Sequence, residues 1–241
     1  MYVITADQVD SRTDVDRSAS TRDRLQRRFG DRLRLPVDQT AGDELQLLTA
    51  DAECAIDVVL DLARDGHWSI GLGVGEVREP LPDAVRLASG TAFFAARDAV
   101  EAAKRADARF ALRAGEATGP VNPPPDAAST PAPARSPSLE PAEVEALVRL
   151  LLLIRARRTP QGWEAVDLVR DGGSQKDAAA RLGISDAAVS QRLKTALWAA
   201  EADAHPTLVR LVADLGSRFD AGGSAGSDTG HPAEPDDGGA R

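Results

Sequence analysis

Between residues 115 and 141 the chain reads GEATGPVNPPPDAASTPAPARSPSLEP, rich in Pro, Ala and Ser and poor in large apolar side chains. Such a stretch cannot bury a core, and its prolines favour an extended, semi-stiff backbone. It limits the fold more than any other feature, because packed structure must form on either side of it. Residues 220–241 are Gly, Ser, Asp and Pro and read as a disordered acidic tail. The expected organisation is therefore a domain at 1–114, a disordered linker at 115–141, a second domain at 142–219 and the tail at 220–241.

Charge bears on which partners are plausible. The 241 residues carry 29 Lys and Arg against 38 Asp and Glu, a net charge of −9. A chain that acidic is a poor general binder of nucleic acid, since such binding is dominated by phosphate neutralisation. The charge is uneven, however. Residues 142–219 hold 11 Lys and Arg against 10 Asp and Glu. Within 174–196, Lys176, Arg181, Arg192 and Lys194 oppose only Asp177 and Asp186. The single cysteine, Cys54, excludes an intrachain disulfide and a cysteine metal cluster; it lies in an apolar helical stretch and reads as a small buried hydrophobe. Residues 1–10 have no basic lead or long apolar core, so no signal peptide is expected. The longest apolar run, 150–154, is too short to span a bilayer. A cytoplasmic protein without a membrane partner is the expectation.

The first domain alternates strand-like and helix-like segments. Residues 2–6 form a β-rich run, and 16–29 are helix-compatible with Leu25 and Phe29 four apart. Residues 32–37 (RLRLPV) and 44–49 (ELQLLT) read as two strands of a hairpin turning at Ala41-Gly42-Asp43. Residues 52–64 place Ala55, Ile56, Val59, Leu60 and Ala63 on one helical face. Residues 68–77 (WSIGLGVGEV) read as a buried strand, 92–106 as an amphipathic helix and 109–113 as a final strand. No Lys-Ser/Thr follows Gly71, Gly73 and Gly75, so these glycines suit close packing against a helix rather than a phosphate loop. The order is that of a ferredoxin-like βαββαβ domain with an extension, in an α+β chain.

The pieces ITADQVDSR, AGDELQLL, WSIGLGVGEV and GTAFFAARDAVEAAK resemble class III nucleotidyl cyclases and diguanylate cyclases. That resemblance implies a nucleotidyl-cyclase-like fold and gives Asp7 and Asp43 the positions of two metal-holding carboxylates, which would bind Mg2+ and a nucleotide. The chain departs from those enzymes: Gln39 stands where they place a purine-selecting Lys, and Phe93 where they place a transition-state Asn, although Arg97 remains. The domain is therefore expected to be non-catalytic, with no catalytic residues, in a sensory or interaction role. Ala6-Asp7, Asp10-Ser11-Arg12 and Gly42-Asp43-Glu44 resemble the SatD family of bacterial proteins more closely. Some of that family carry a C-terminal helix-turn-helix.

The second domain is expected to be all-α. Residues 143–158 carry the stripe Leu147, Leu150, Leu151 and Ile154, and a second helix, with Thr159 at its N-cap and Pro160 in its first turn, runs to about Arg170 and is ended by Asp171-Gly172-Gly173. The segment SQKDAAARLGISDAAVSQRLKTALW, residues 174–198, carries the sharpest pattern. Ser174 caps a helix at 175–182, Gly183 supplies a left-handed corner, Ile184 plugs it, and Ser185 caps a helix at 186–199. Ala178, Ala179, Leu182, Val189 and Leu193 fall at the apolar interface that a helix-turn-helix requires. The segment resembles region 4 of bacterial sigma factors and LuxR- and MarR-type regulators. The face left outward, Asp186, Ala187, Ser190, Gln191 and Lys194, is expected to meet the major groove of double-stranded DNA, with Ser174, Gln175 and Ser185 near phosphates. Trp198 is expected to pack on a last helix at 207–219.

The expectation is a DNA-binding transcriptional regulator, with a homodimer and RNA polymerase as further partners. A cyclase-type enzyme or nucleotide-binding protein is the alternative, and a protein–protein adaptor the next.

Overall fold

The computed structural model describes residues 1–11, 13–40, 42–115, 139–170 and 172–220. Most of the expected linker, the tail, Arg12 and Ala41 lie outside the described residues. The described chain is α+β. Its sheet has five strands in the order β2-β3-β1-β4-β5: β1 (Tyr2–Gln8), β2 (Asp38–Gln39), β3 (Glu44–Thr49), β4 (Trp68–Val74) and β5 (Phe110–Ala114). β1 is antiparallel to β3 and β4, β2 is antiparallel to β3, and β5 is parallel to β4.

Strand alternation divides the core into two layers, since neighbouring side chains leave opposite faces. Tyr2, Ile4 and Ala6 of β1, with Ile70, Leu72 and Val74 of β4, join the larger apolar cluster. α1 (Ser18–Phe29) contributes Leu25 and Phe29 to it, and α2 (Ala52–Leu62) contributes most of its length. Cys54 is fully buried there, as expected of a small hydrophobe. On the other face Val3 and Leu48 meet Ala92 and Ala96 of α3 (Thr91–Ala103). Here the β4 glycines matter: a Cβ on Gly71 would stand 2.3 Å from the Val100 nitrogen, and one on Gly73 2.2 Å from the Ala92 oxygen. Helix and strand backbones touch, as the sequence reading expected.

The strand expected at 32–37 does not form. Gly30–Arg32 is a 3-10 turn, and the chain then follows β3 irregularly, with the Arg34 N–H donating to the Leu48 carbonyl at 2.8 Å. Pro36 has no N–H to give a ladder. Leu33 and Leu35 are drawn to different clusters. On this arm of the hairpin Asp38–Gln39 is the stretch that pairs with β3 among the described residues, and Gly42, at φ +82°, turns the hairpin.

The helical half comprises α4 (Pro141–Ala156), α5 (Pro160–Arg170), α6 (Gln175–Leu182), α7 (Asp186–Thr195) and α8 (Trp198–Asp220). α4 starts at a capping box of Glu140 and Glu143 with Pro141 in the first turn. Its buried stripe is Val144, Val148, Leu151, Leu152 and Arg155, whereas Leu147 and Leu150 of the expected stripe are exposed. Residues 150–154 are apolar around the whole helix, so periodicity alone had no face to select. The last helix also differs from expectation. α7 ends at Thr195, Leu197 turns the chain at φ +53°, and α8 starts nine residues before 207 and runs through Pro206. A proline inside a helix removes one N–H, here the partner of the Ala202 carbonyl.

The apolar clusters divide this half in a way the linker did not foretell. Val144, Val148, Leu151 and Leu152 of α4 and Leu208, Val212, Leu215 and Phe219 of α8 join the same cluster as the sheet. The Tyr2 hydroxyl donates to the Val212 carbonyl at 3.2 Å. α5, α6 and α7 form a separate cluster around Ala165, Val166, Ala178, Ala179, Val189 and Leu193. Among the described residues no helix is long and apolar enough to cross a membrane.

Candidate nucleic-acid interface and an arginine-rich cleft

The geometry of α6 and α7 follows from local chemistry. Ser174 Oγ accepts from the Asp177 N–H at 3.1 Å, and the Asp177 carboxylate accepts from the Ser174 backbone N–H at 3.3 Å, closing a capping box, and from the Ser174 hydroxyl at 2.6 Å. The hydrogen bonds from Ser174 hold the Asp177 carboxyl below its usual range. α6 ends at Gly183 in the left-handed region, φ +65°, where only glycine is free of Cβ crowding. The Ile184 N–H returns to the Ala179 carbonyl at 3.1 Å, and Ser185 caps α7 by accepting from the Ala188 N–H at 3.2 Å.

Ser174, Gln175, Ser185, Asp186, Ala187, Ser190, Gln191 and Lys194 are all exposed. Ala187, Ser190, Gln191 and Lys194 follow the i, i+3, i+4, i+7 spacing of one helix face. Gln191 makes only a long bond, 3.4 Å, to Thr195. The two capping serines are less free: the Ser174 hydroxyl is taken up by Asp177, whose negative charge stands at the same helix end. Arg192 turns back to Glu164 at 3.2 Å, bracing α7 against α5. Trp198 departs from expectation. It begins α8 itself and packs on the α5–α7 cluster, not on the apolar residues at 207–219.

On the sheet, Asp7 lies opposite Glu44 of β3 and Ser69 of β4, with Asp43 in the adjoining turn. The Lys104 ammonium is 3.1 Å from Asp7 Oδ2 and 2.7 Å from Glu101. The bonds to Glu101 and Asp7 outweigh partial burial and raise the lysine above its usual value. Lys104 thus supplies the cation at Asp7 that a divalent metal would otherwise provide. Among the described residues no three His, Cys, Asp or Glu side chains group as metal ligands. Asp7 is ion-paired to Lys104, and Asp43 stands in the turn beside it. Gln39 donates to the Gly42 carbonyl at 2.8 Å and stiffens the hairpin. Phe93 packs partly on the apolar layer, and Arg97 lines a separate cavity with Glu44 and Arg86.

One cluster had no sequence-level expectation. Arg155 and Arg158 of the α4 end are 3% and 8% exposed, and both face Glu201 of α8, itself 4% exposed. Arg155 hydrogen-bonds Glu201 and the Leu60 carbonyl. Arg158 forms an ion pair with Glu201 at 2.5 Å and donates its Nε–H to the Ala196 carbonyl. Arg170 of α5 is 3.6 Å from the same carboxylate. The Trp163 ring receives Arg64, Arg155 and Arg158 at 4.5, 4.9 and 4.8 Å from its centroid. Each cation–π contact contributes about 0.5–2 kcal/mol, while burying an ion costs several kcal/mol. Three guanidinium groups therefore share one carboxylate at a buried position. Burial, only partly offset by Glu201, pulls Arg155 down to about 10, so it stays charged at neutral pH. The signal available in the sequence was weak: Arg155, Arg157 and Arg158 read as ordinary basic residues at a helix C-terminus.

Comparison of the chain with family models, with curated proteins and with solved structures yields no match.

Proposed function

We propose that the chain is a DNA-binding regulator of transcription in which α6, the Gly183 corner and α7 act as a helix-turn-helix. The observation that carries this reading is the α7 face: Ala187, Ser190, Gln191 and Lys194 are exposed together, while Val189 and Leu193 on the opposite side are buried. An amide such as Gln191 bonds adenine bidentately, Ala187 suits a thymine methyl, and Lys194 suits phosphate. The sheet unit is read as ferredoxin-like over β2-β3-β1-β4, with β5 as its extension, and as a sensory or interaction domain. The charge of the module is close to balanced, so binding by one copy is weak and gains from a second copy or a partner such as RNA polymerase.

The test uses the whole chain, because α4 and α8 share the core of the sheet. The protein is incubated with a pool of random duplex DNA at two salt concentrations. One sequence is expected to be enriched, Gln191→Ala to relax its selection, and Lys194→Ala to weaken binding evenly and lower the salt slope by about 1. Absence of binding at low salt by the folded protein sinks the reading. The second reading, a protein–protein adaptor, is favoured by the apolar groove between α4 and α8, where Leu147 and Leu150 are exposed.

A further inference from the structure

A cleft of about 490 Å³ opens between the α1–α2 side of the sheet unit and α5 and α8. Its walls include Arg28, Arg32, Arg64, Arg155, Arg170 and Trp198. The outer arginines are neutralised by the chain itself. Arg28 pairs with Asp61 at 2.8 Å, Arg64 with Asp167 at 2.7 Å, and Arg32 with Asp51 and Asp57 at 2.9 and 3.0 Å. The inner end differs. Arg155, Arg158 and Arg170 have Glu201 between them, so this end carries two positive charges in excess. Arg155 is more than nine-tenths buried, lines the cleft, and its Nε makes no hydrogen bond. Arg170 lines the cleft beside it, and its Nη2 also makes none.

We propose that this inner end binds a small phosphorylated anion, held by Arg155 and Arg170 beside the Trp198 ring. Guanidinium groups present parallel N–H donors that match phosphate oxygens, and an excess of positive charge at a poorly solvated site favours an anion. The acidic groups on the far wall each face an arginine: Asp61 pairs with Arg28, and Asp57 and Glu53 share Arg32. The cleft volume lies in the range of small-molecule sites. The ligand bridges α4 and α5 next to α8, and so ties the α5–α7 cluster to the sheet unit. Binding at this cleft stands whether or not α7 reads DNA.

The experiment titrates the full chain with inorganic pyrophosphate, following tryptophan fluorescence and heat, against sodium chloride at matched ionic strength. A nucleoside triphosphate in a parallel arm separates a free phosphate ligand from a nucleotide. Saturable binding in either arm is expected, weakened at least tenfold by Arg170→Gln and unchanged by Arg192→Gln, which removes the same charge away from the cleft. Arg170→Lys, which keeps the charge and loses the fork, is expected to fall between. Wild-type protein that is folded and shows no saturable response beyond the salt control overturns the proposal. So does an equal loss in the Arg170→Gln and Arg192→Gln proteins.

Discussion

A methyl group on Gly73 would stand 2.2 Å from the Ala92 carbonyl oxygen and 2.4 Å from the Ala96 nitrogen, both backbone atoms that cannot rotate away. Gly73→Ala must therefore push α3 off β4, and overpacking of this kind costs about 3 kcal/mol. A fall in melting temperature of roughly 6–12 °C in a calorimeter is the expected outcome. An unchanged melting temperature would mean that α3 sits further from the strand. The same scale explains what was readable at α6 and α7. Ser174, Gly183 and Ser185 act on their own neighbours, through a hydroxyl or a missing Cβ, so their roles follow from spacing alone. Lys104 was not readable in this way, because it reaches Asp7 only after α3 has folded back across the sheet.

Elements meet through pairs that are distant in sequence, and one of these is pH-dependent. His205 of α8 bonds Asp57 of α2 at 2.8 Å. The bond to Asp57 raises the histidine above its usual 6.5, with Glu53 and Glu201 adding to the attraction. Burial would raise the Asp57 carboxyl, but bonds from His205 and Arg32 outweigh it and hold it below its usual 3.8. The signs follow from linkage. The histidine contribution is full below pH 6.5 and is lost as pH rises through its higher folded value. The aspartate contribution is present above pH 3.8 and is lost as pH falls through its lower folded value. Urea unfolding should therefore show His205→Gln most destabilising between about pH 4 and 6.5, with the difference from wild type shrinking toward pH 9. A difference that grows with pH would refute the assignment. The element scale also holds the clearest divergence from the sequence reading. The apolar run at 150–154 established a helix but not its buried face, and the last helix, expected at 207–219, begins at Trp198 and continues through Pro206.

At the scale of the whole molecule, Glu201 joins α4, α5 and α8 through Arg155, Arg158 and Arg170. Glu201→Gln leaves three largely buried cations without their shared counter-charge, and breaking a buried pair on one side costs about 3–5 kcal/mol. A matching drop in the free energy of urea unfolding is expected; a loss under 1 kcal/mol would show that Trp163 and solvent already satisfy the arginines. This cluster holds the α5–α7 unit against the sheet unit, so a ligand in the cleft acts on the junction between the two.

The sequence by itself determined the features that depend on near neighbours. It specified an α+β chain, the caps and corner of α6 and α7, the exposed face of α7, the close approach of α3 to the β4 glycines and the burial of Cys54. Periodicity, capping residues and glycine spacing act within a few residues and need no knowledge of the rest. Only the tertiary structure decided that α4 and α8 complete the core of the sheet, that Trp198 joins the α5–α7 cluster, that Lys104 meets Asp7, and that three arginines converge on Glu201. The physical reason is that each of these is a choice among equally apolar faces or equally charged partners. That choice is made when the layers pack and bury what they can, and no short window of the sequence shows it.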